Sequence, residues 1–211
     1  MIDIMSELAA VHRSTGFGKV PAGEGRTVTL SRRYDAPIED VWDAITNAER
    51  ISRWFLPVSG DLRLGGRYQL KGNAGGEIIR CEPPQLLKVT WIFGEGADPN
   101  SSEVEVRLTA AGGESTNLEL VHTAIVPDEM WSQFGPGAVG VGWDGGLFGL
   151  SMHLRGREMD EAEREAWPMS EEAKQFNTGS SQAWGAANEA AGATPEEAAA
   201  AVENTTKFYV P

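Results

Sequence analysis

Residues 34–55, YDAPIEDVWDAITNAERISRWF, decide the fold of this chain. The segment leaves a strand pattern and enters a helix, because Pro37 has the φ angle of a first helical turn and needs no backbone donor there. Asn47 is placed to cap a second, shorter helix that ends in the aromatic pair Trp54 and Phe55. We therefore predict a helical hairpin directly after the first strand, a layout that suggests a cupped sheet with a cavity.

Composition limits the class of protein. The chain has 211 residues, which is enough for one domain with a sizeable core and an appendage. Its formal net charge of -13 repels phosphate backbones and anionic lipid, so we expect neither nucleic acid nor a membrane as partner. A single cysteine, Cys81, excludes an internal disulfide framework. With no signal peptide or membrane-spanning stretch apparent, we expect a cytoplasmic protein.

Strands are predicted on both sides of the hairpin. Residues 28–34 alternate between apolar and polar side chains and give the first strand. The stretch 16–25 contains glycine and proline and is typical of a linker, preceded by a short amphipathic helix at residues 4–11. A double glycine at 65–66 predicts a bulge or sharp bend. Further alternating patterns, typical of antiparallel strands with one wet face, occur at residues 60–70, 78–79, 87–93, 104–108 and 118–122.

A long, largely buried helix is predicted over residues 143–154. Trp143, Leu147 and Leu150 recur at helical spacing, and Phe148 adds apolar surface beside this stripe. The helix contains several glycines, which are weak helix formers. They are tolerable if a neighbouring strand or a ligand packs close to the helix.

The remainder of the chain is acidic, rich in alanine and without strand patterns. Thr194-Pro195-Glu196-Glu197 forms a capping box with proline at the first helical position. An earlier helix around residues 181–191 would present Trp184. We expect three regions, which are an N-terminal helix and linker at 1–25, the main domain at 26–158, and a helical extension at 159–211 packed on that domain or on a partner subunit.

Several short motifs occur together in one order. They are Ala36, Pro37, Val41 and Trp42, then Thr46 and Arg53-Trp54-Phe55, Gly65-Gly66-Arg67-Tyr68, Gly76 with Pro83-Pro84, Thr90-Trp91, then Leu118, Leu120 and His122, and Gly142-Trp143. In these motifs residues 26–155 resemble the SRPBCC, or START-like, superfamily, and within it the branch named after the activator of the heat-shock protein 90 ATPase. The resemblance implies an α+β helix-grip fold. In that fold a curved antiparallel sheet wraps around a long C-terminal helix, here with a helical hairpin after the first strand and extra C-terminal helices.

Reactive residues are sparse. The segment 135–146, GPGAVGVGWDGG, contains overlapping G-x-G-x-x-G patterns, but no strand precedes it, so we interpret it as a flexible loop leading into the long helix and able to act as a lid. His12, His122 and His153 lack the spacing of metal ligands, and we predict no metal, no cofactor and no catalytic residues. Cys81 is interpreted as a small structural hydrophobe. His122 is either a hydrogen-bonded core histidine or an acid/base in a pocket.

The predicted pocket is largely aromatic. Its side chains either fill the core or line an apolar cavity with few polar groups, as small-molecule sites do. Arg67 and His122 would be polar anchors for a ligand carrying a carboxylate or hydroxyl. The candidate ligand-binding residues are Trp54, Phe55, Tyr68, Trp91, Phe93, His122, Trp143 and Leu147.

Three functions fit these patterns. The first is binding of a hydrophobic small molecule between the sheet and the long helix, without catalysis. The second is an enzyme of the polyketide cyclase or aromatase kind, which needs His122 inside the cavity with a shifted pKa and a polar partner. The third is a chaperone co-factor or other protein-interaction module, including a homodimer, which predicts a filled core and an exposed apolar patch.

Overall fold

The computed structural model describes residues 3–210. In chain order its elements are α1 (Ile4–Ala9), β1 (Val11–Val20), β2 (Gly23–Tyr34), α2 (Ile38–Thr46), α3 (Ala48–Trp54), β3 (Val58–Gly60), β4 (Arg67–Leu70), β5 (Gly75–Glu82), β6 (Leu86–Thr90), β7 (Ser102–Ala110), β8 (Thr116–Ala124), α4 (Asp128–Phe134), α5 (Gly137–Leu154), α6 (Glu161–Ala166), α7 (Glu171–Ala190) and α8 (Pro195–Tyr209). A short 3-10 helix, Trp167–Met169, joins α6 to α7.

The eight strands form one antiparallel sheet in the order β1-β2-β8-β7-β6-β5-β4-β3. The sheet stays open, with β1 and β3 at its edges. Leu147 and Leu150 of α5 pack in one core with inward residues of the sheet, such as Leu30 of β2 and Leu118 of β8. This arrangement is the predicted α+β helix-grip fold, so the predicted fold class is confirmed.

The helical hairpin forms where it was predicted. Asn47 ends α2 and caps α3, because its Oδ1 accepts hydrogen bonds from the backbone N–H groups of Glu49 and Arg50. Val41 and Ala44 of α2 are fully buried against the sheet. A local capping signal and one apolar face therefore suffice to fix this part of the structure.

The predicted linker at residues 16–25 is wrong. Residues 11–20 form strand β1, which pairs with β2 over its whole length, and the predicted first strand is consequently the second. The glycines of this segment do not mark a loop; they stand where neighbouring strands leave no room for a side chain. A Cβ at Gly18 would lie 2.8 Å from a methyl carbon of Thr27, and one at Gly25 would lie 2.6 Å from the carbonyl oxygen of Ala124.

The double glycine lies in a turn rather than in a strand. Asp61–Gly66 separates β3 from β4, so the single strand predicted at residues 60–70 is divided in two. Gly65 has a φ angle of +77°, a conformation that glycine adopts without strain. The sharp bend was predicted correctly, but its place within a continuous strand was not.

Residues 137–146 are helical, so the interpretation of the glycine-rich segment as a flexible loop or lid is wrong there. They form the first turns of α5, and only Gly135 and Pro136 link α4 to α5. The glycines make room for other helices. A Cβ at Gly140 would overlap the indole ring of Trp184 on α7, and one at Gly149 would lie 2.5 Å from the carbonyl oxygen of Trp54.

Helix α5 carries apolar side chains on two sides because other elements cover both of them. Phe148 and Met152 pack away from the sheet in a second cluster with Ile4, Leu8 and Phe176, which come from α1 and α7. The helix is therefore the centre of the molecule, as its sequence predicts.

Buried charges attach the N-terminal segment to α5. Arg13 of β1 donates from Nε to the carboxylate of Asp144 at 2.9 Å, and both side chains are at least nine-tenths buried. Arg32 of β2 donates to Glu7 of α1 and, at 2.8 Å, to Ser151 of α5. Buried ions of this kind need partners, because an unpaired charge in the interior is costly.

The C-terminal helices pack on the same helix. Trp184 of α7 is 1% exposed, and its Nε1 donates to Asp144 at 3.0 Å. Helix α8 begins at the predicted capping box of Thr194 and Glu197. Tyr209 donates its hydroxyl to the carbonyl oxygen of Ala138 at 2.7 Å, whereas Phe208 is largely exposed. Within residues 3–210, no helix has both the length and the apolar character needed to cross a membrane.

Candidate functional site

A cavity of about 350 Å³ lies between the sheet, the α2–α3 hairpin and α5. Its walls come from residues that are far apart in the chain, since the hairpin and α5 face the concave side of the sheet. The lining residues are Trp42, Ile45, Thr46, Ile51, Trp54, Phe55, Val58, Leu62, Tyr68, Leu70, Ile78, Cys81, Leu87, Val89, Trp91, Val104, Val106, Leu118, Leu120, Trp143, Gly146, Leu147 and Leu150.

Aromatic rings dominate two walls of this cavity. On the helical side Trp54 stacks on Phe55 with 5.5 Å between ring centroids, and Phe55 stacks on Trp143 at 6.4 Å. Trp91, just after β6, lies 4.8 Å from Trp143 and 6.4 Å from Tyr68. The rings form a connected series that reaches from α3 across α5 to the sheet, and each ring is held by its neighbours.

The empty space borders one row of the sheet. Cys81, Leu87 and Val106 lie opposite one another on β5, β6 and β7, and all three are only half-buried. By contrast Val104 and Leu120 are each 4% exposed. This row is therefore the loosely covered part of the sheet wall of the cavity.

The polar hydrogens of the lining are largely used within the protein. Thr46 donates to the carbonyl oxygen of Trp42 at 2.7 Å, and Tyr68 donates to that of Thr90 at 2.8 Å. Trp54 donates from its indole nitrogen to the carbonyl oxygen of Ala44 at 3.0 Å. None of the lining residues carries a formal charge at neutral pH. The cavity thus offers shape and apolar contact rather than ionic anchoring.

His122 supports the aromatic wall from behind. Its Nδ1 accepts the indole hydrogen of Trp143 at 3.0 Å, so the neutral ring carries its own proton on Nε2 and donates it to Ser102 Oγ at 2.8 Å. Burial lowers the pKa of His122 to about 4. The imidazole is therefore neutral at physiological pH, with both nitrogens engaged, and the side chain is not part of the cavity lining.

Six of the eight predicted pocket residues line the cavity: Trp54, Phe55, Tyr68, Trp91, Trp143 and Leu147. The predicted inward orientation of Phe93 is wrong, because β6 ends at Thr90 and the alternation does not continue; Phe93 is 68% exposed. Arg67 is not a polar anchor in the cavity either. It precedes the inward Tyr68 on β4, and successive side chains of a strand point to opposite faces, so Arg67 is exposed.

The sequence patterns missed several lining residues. Trp42 and Ile45 stand at helical spacing on α2, so the sequence alone could have identified Trp42 as a lining residue. Cys81 had none, because the register shifts between Ile78 and Arg80 and brings Cys81 into the lining although it stands three positions after Ile78. Among residues 3–210, no three histidine, cysteine or acidic side chains gather closely enough to hold a metal ion.

Comparison with known proteins agrees with this geometry. The family model described as "Activator of Hsp90 ATPase homolog 1-like protein" matches residues 35–154, from the first residue after β2 to the last residue of α5. The chain belongs to this family. The SRPBCC resemblance predicted from the sequence motifs is thereby confirmed. The matched segment contains every residue that lines the cavity.

Structures of related proteins extend the likeness. CalU16 from Micromonospora echinospora is 44% identical in sequence to the present chain. Its crystal structure matches 74% of this chain and 90% of that chain, with a TM-score of 0.61. The solution structure of CalU16 matches 95% of this chain and 93% of that chain at 36% identity and a TM-score of 0.64. DynU16, from the dynemicin biosynthetic locus, is 25% identical over 63% of this chain and 48% of that chain, with a TM-score of 0.51. No curated protein sequence matches the chain.

Proposed function

We propose that this protein binds a hydrophobic small molecule in the cavity between its sheet and α5. The observation that carries the proposal is the connected set of aromatic rings around about 350 Å³ of space. Aromatic and aliphatic surface left uncovered in a concave site costs folding free energy, about 25 cal/mol for each Å² that a filled core would bury. A cavity that is retained at such a cost is best explained by an occupant.

The lining supports binding rather than catalysis. A general base must reach the substrate with a free nitrogen or oxygen and with a pKa near the working pH. His122 meets neither condition, because Trp143 and Ser102 occupy its two nitrogens and its pKa is low. The cyclase-like alternative would therefore have to work without the one histidine that sequence patterns placed at the pocket.

The protein-interaction alternative predicts a filled core. The cavity favours a small-molecule role over it, although the family takes its description from an Hsp90 activator homologue. DynU16 comes from a biosynthetic locus, which is in keeping with a small organic ligand. The proposal concerns binding alone, and it names no reaction.

Fluorescence titration with N-phenyl-1-naphthylamine, an uncharged dye that brightens in apolar sites, tests the proposal. The dye should bind one site per chain and should be lost from a Val106→Trp variant, in which the larger indole takes up cavity space beside the half-buried Val106. Val121→Trp is the matched control, because Val121 lies on the opposite face of β8 from the cavity-lining Leu120. Equal binding by both variants would place the dye elsewhere and contradict the proposal.

The lone cysteine gives an independent readout. Since Cys81 lines the cavity and is the one cysteine of the chain, the intact mass reports alkylation at this position alone. Saturating dye should slow the reaction of Cys81 with N-ethylmaleimide at least about fivefold, by covering the thiol. An unchanged rate in the presence of bound dye would argue against occupation of this cavity.

A further inference from the structure

The charged residues and hydrogen-bond donors around the cavity determine which charge its ligand can carry. This inference rests on the proposed function and goes one step beyond it. An anion bound in a protein interior needs a cation or a set of hydrogen-bond donors as partner, because desolvation of a charge costs several kcal/mol. The cations near the lining therefore decide which charge a ligand can carry.

On the sheet and in the β3–β4 turn, each cation beside a half-buried lining residue is paired, whereas Arg53, beside Trp54 on α3, is exposed at the surface. Beside Leu62, Arg63 donates to Asp61 at 2.7 Å. Beside Cys81, Arg80 donates to Glu82 at 2.7 Å. The same pattern holds beside Leu87 and Val106, where the ion pairs are Lys88–Glu103 at 2.6 Å and Arg107–Glu105 at 2.5 Å.

These cations also lie on the wrong side of the sheet. Arg80, Lys88 and Arg107 alternate with Cys81, Leu87 and Val106, so their side chains leave the opposite face. Lys88 lies opposite Glu105 in the register of β6 and β7 and forms its ion pair with Glu103, two residues away on β7, which keeps the charges together on the outer face. No charged side chain of residues 3–210 takes part in the lining.

Most of the hydroxyl and indole donors of the lining are also committed. The hydroxyl groups of Thr46 and Tyr68 and the indole groups of Trp54 and Trp143 all donate to protein acceptors. Within residues 3–210 the indole N–H groups of Trp42 and Trp91 have no protein acceptor, but these neutral donors supply no counter-charge for a carboxylate or sulfonate. The acidic net charge of -13 adds a long-range field of the same sign as such a ligand.

We propose that the cavity selects uncharged ligands and excludes amphipathic anions such as fatty acids. The aromatic walls accept an apolar body, but neither the interior nor the adjoining rows of the sheet supply a counter-ion. The ligand class is therefore an uncharged apolar compound, and a negatively charged head group weakens binding in the cavity.

A matched pair of dyes tests this selectivity. N-phenyl-1-naphthylamine and 8-anilinonaphthalene-1-sulfonate share their rings and differ by one sulfonate. The uncharged dye should bind the cavity at least about tenfold more tightly, and this ratio should persist in 1 M NaCl, where the Debye length is about 3 Å. A smaller ratio, or one that disappears in 1 M NaCl, would overturn the proposal, since the preference would not arise in the cavity.

A charge introduced into the lining provides the second arm. Val106→Lys should narrow the ratio between the two dyes at least about fivefold, because the new ammonium is a partner for the sulfonate. Val121→Lys, on the outer face, is the control and should leave the ratio unchanged. If both variants change the ratio equally, the selectivity comes from the overall field and the proposal fails. If neither dye binds the unaltered protein, the proposed function itself is wrong; equal binding of both dyes at the cavity would refute the charge selectivity alone.

Discussion

The indole N–H of Trp143 donates to Nδ1 of His122 at 3.0 Å, and this bond fixes both the ring that faces the cavity and the tautomer of the histidine behind it. Protonation of His122 would place a hydrogen on Nδ1, against the indole hydrogen of Trp143. The folded state therefore holds the imidazole in its neutral form. Burial reinforces this preference, which is why the pKa is lowered to about 4.

This arrangement makes stability depend on pH. The pKa of a histidine in the unfolded chain is about 6.5, so between pH 6.5 and 4 the unfolded state binds a proton that the folded state does not. Stability from His122 is complete above pH 6.5 and falls as the pH drops towards 4, with a loss of about 2 kcal/mol at pH 5. Urea unfolding at pH 7 and at pH 5 measures this loss in the free energy of unfolding. The loss should shrink in His122→Gln, whereas the exposed His12→Gln should behave as wild type.

A second prediction concerns the buried pair of Arg13 and Asp144. Asp144→Asn keeps the shape of the side chain but leaves Arg13 buried without a counter-charge, so we expect a loss of about 3–5 kcal/mol in the free energy of unfolding. Asp43→Asn removes a half-exposed partner of Arg50 and should cost at most about 1 kcal/mol. Urea denaturation of both variants makes the comparison. Equal losses would show that burial of the Asp144 pair is unimportant.

A third prediction concerns two glycines of α5, for which substitution by alanine should change stability in opposite directions. Gly149→Ala would bring a Cβ to 2.5 Å from the carbonyl oxygen of Trp54, so α3 must shift and stability should fall by about 1–3 kcal/mol. Gly145→Ala meets nothing within 4 Å and should stabilise the helix by about 0.5–1 kcal/mol. Thermal unfolding distinguishes them. Because α3 supplies a cavity wall, Gly149→Ala should also weaken dye binding, while Gly145→Ala should not.

The fourth prediction compares two neighbouring aromatic residues. Trp91→Leu removes a ring that contacts Tyr68 and Trp143, and should raise the dye dissociation constant about fivefold, which corresponds to about 1 kcal/mol of aromatic contact. Phe93→Leu changes an exposed side chain and should leave the constant within about twofold. A larger effect at Phe93 than at Trp91 would favour the orientation that sequence alternation predicts.

The predictable parts of the fold are those with local signals. The hairpin at residues 34–55 could be predicted because Asn47 caps α3 through its own backbone neighbours. The capping box of Thr194 and Glu197 defines α8 in the same way. Strand β1 was not predicted because its glycines resemble a linker in the sequence. In the fold they leave room for side chains that are distant in the chain, such as Thr123 beside Gly18.

The site was predictable only where alternation stays regular. Trp91 and Trp143 keep their expected faces, whereas the ending of β6 at Thr90 exposes Phe93 and the register shift near Ile78 brings Cys81 into the lining. The role of His122 as a support for Trp143 depends on a pairing across 21 residues that no periodicity encodes. Sequence patterns therefore suggest which face a residue occupies, but not the partner it meets there.

Asp144 is the meeting point of three segments that lie far apart in the chain. It accepts hydrogen bonds from Arg13 near the N-terminus and from Ser180 and Trp184 in the C-terminal extension. A chain trimmed to residues 26–158 would keep this carboxylate and lose all three donors, and the bare backbone at Gly140 would face water where an indole now covers it. The flanking segments thus form the second cover of the central helix, and trimming them would expose Phe148 and Met152 to water together with the carboxylate.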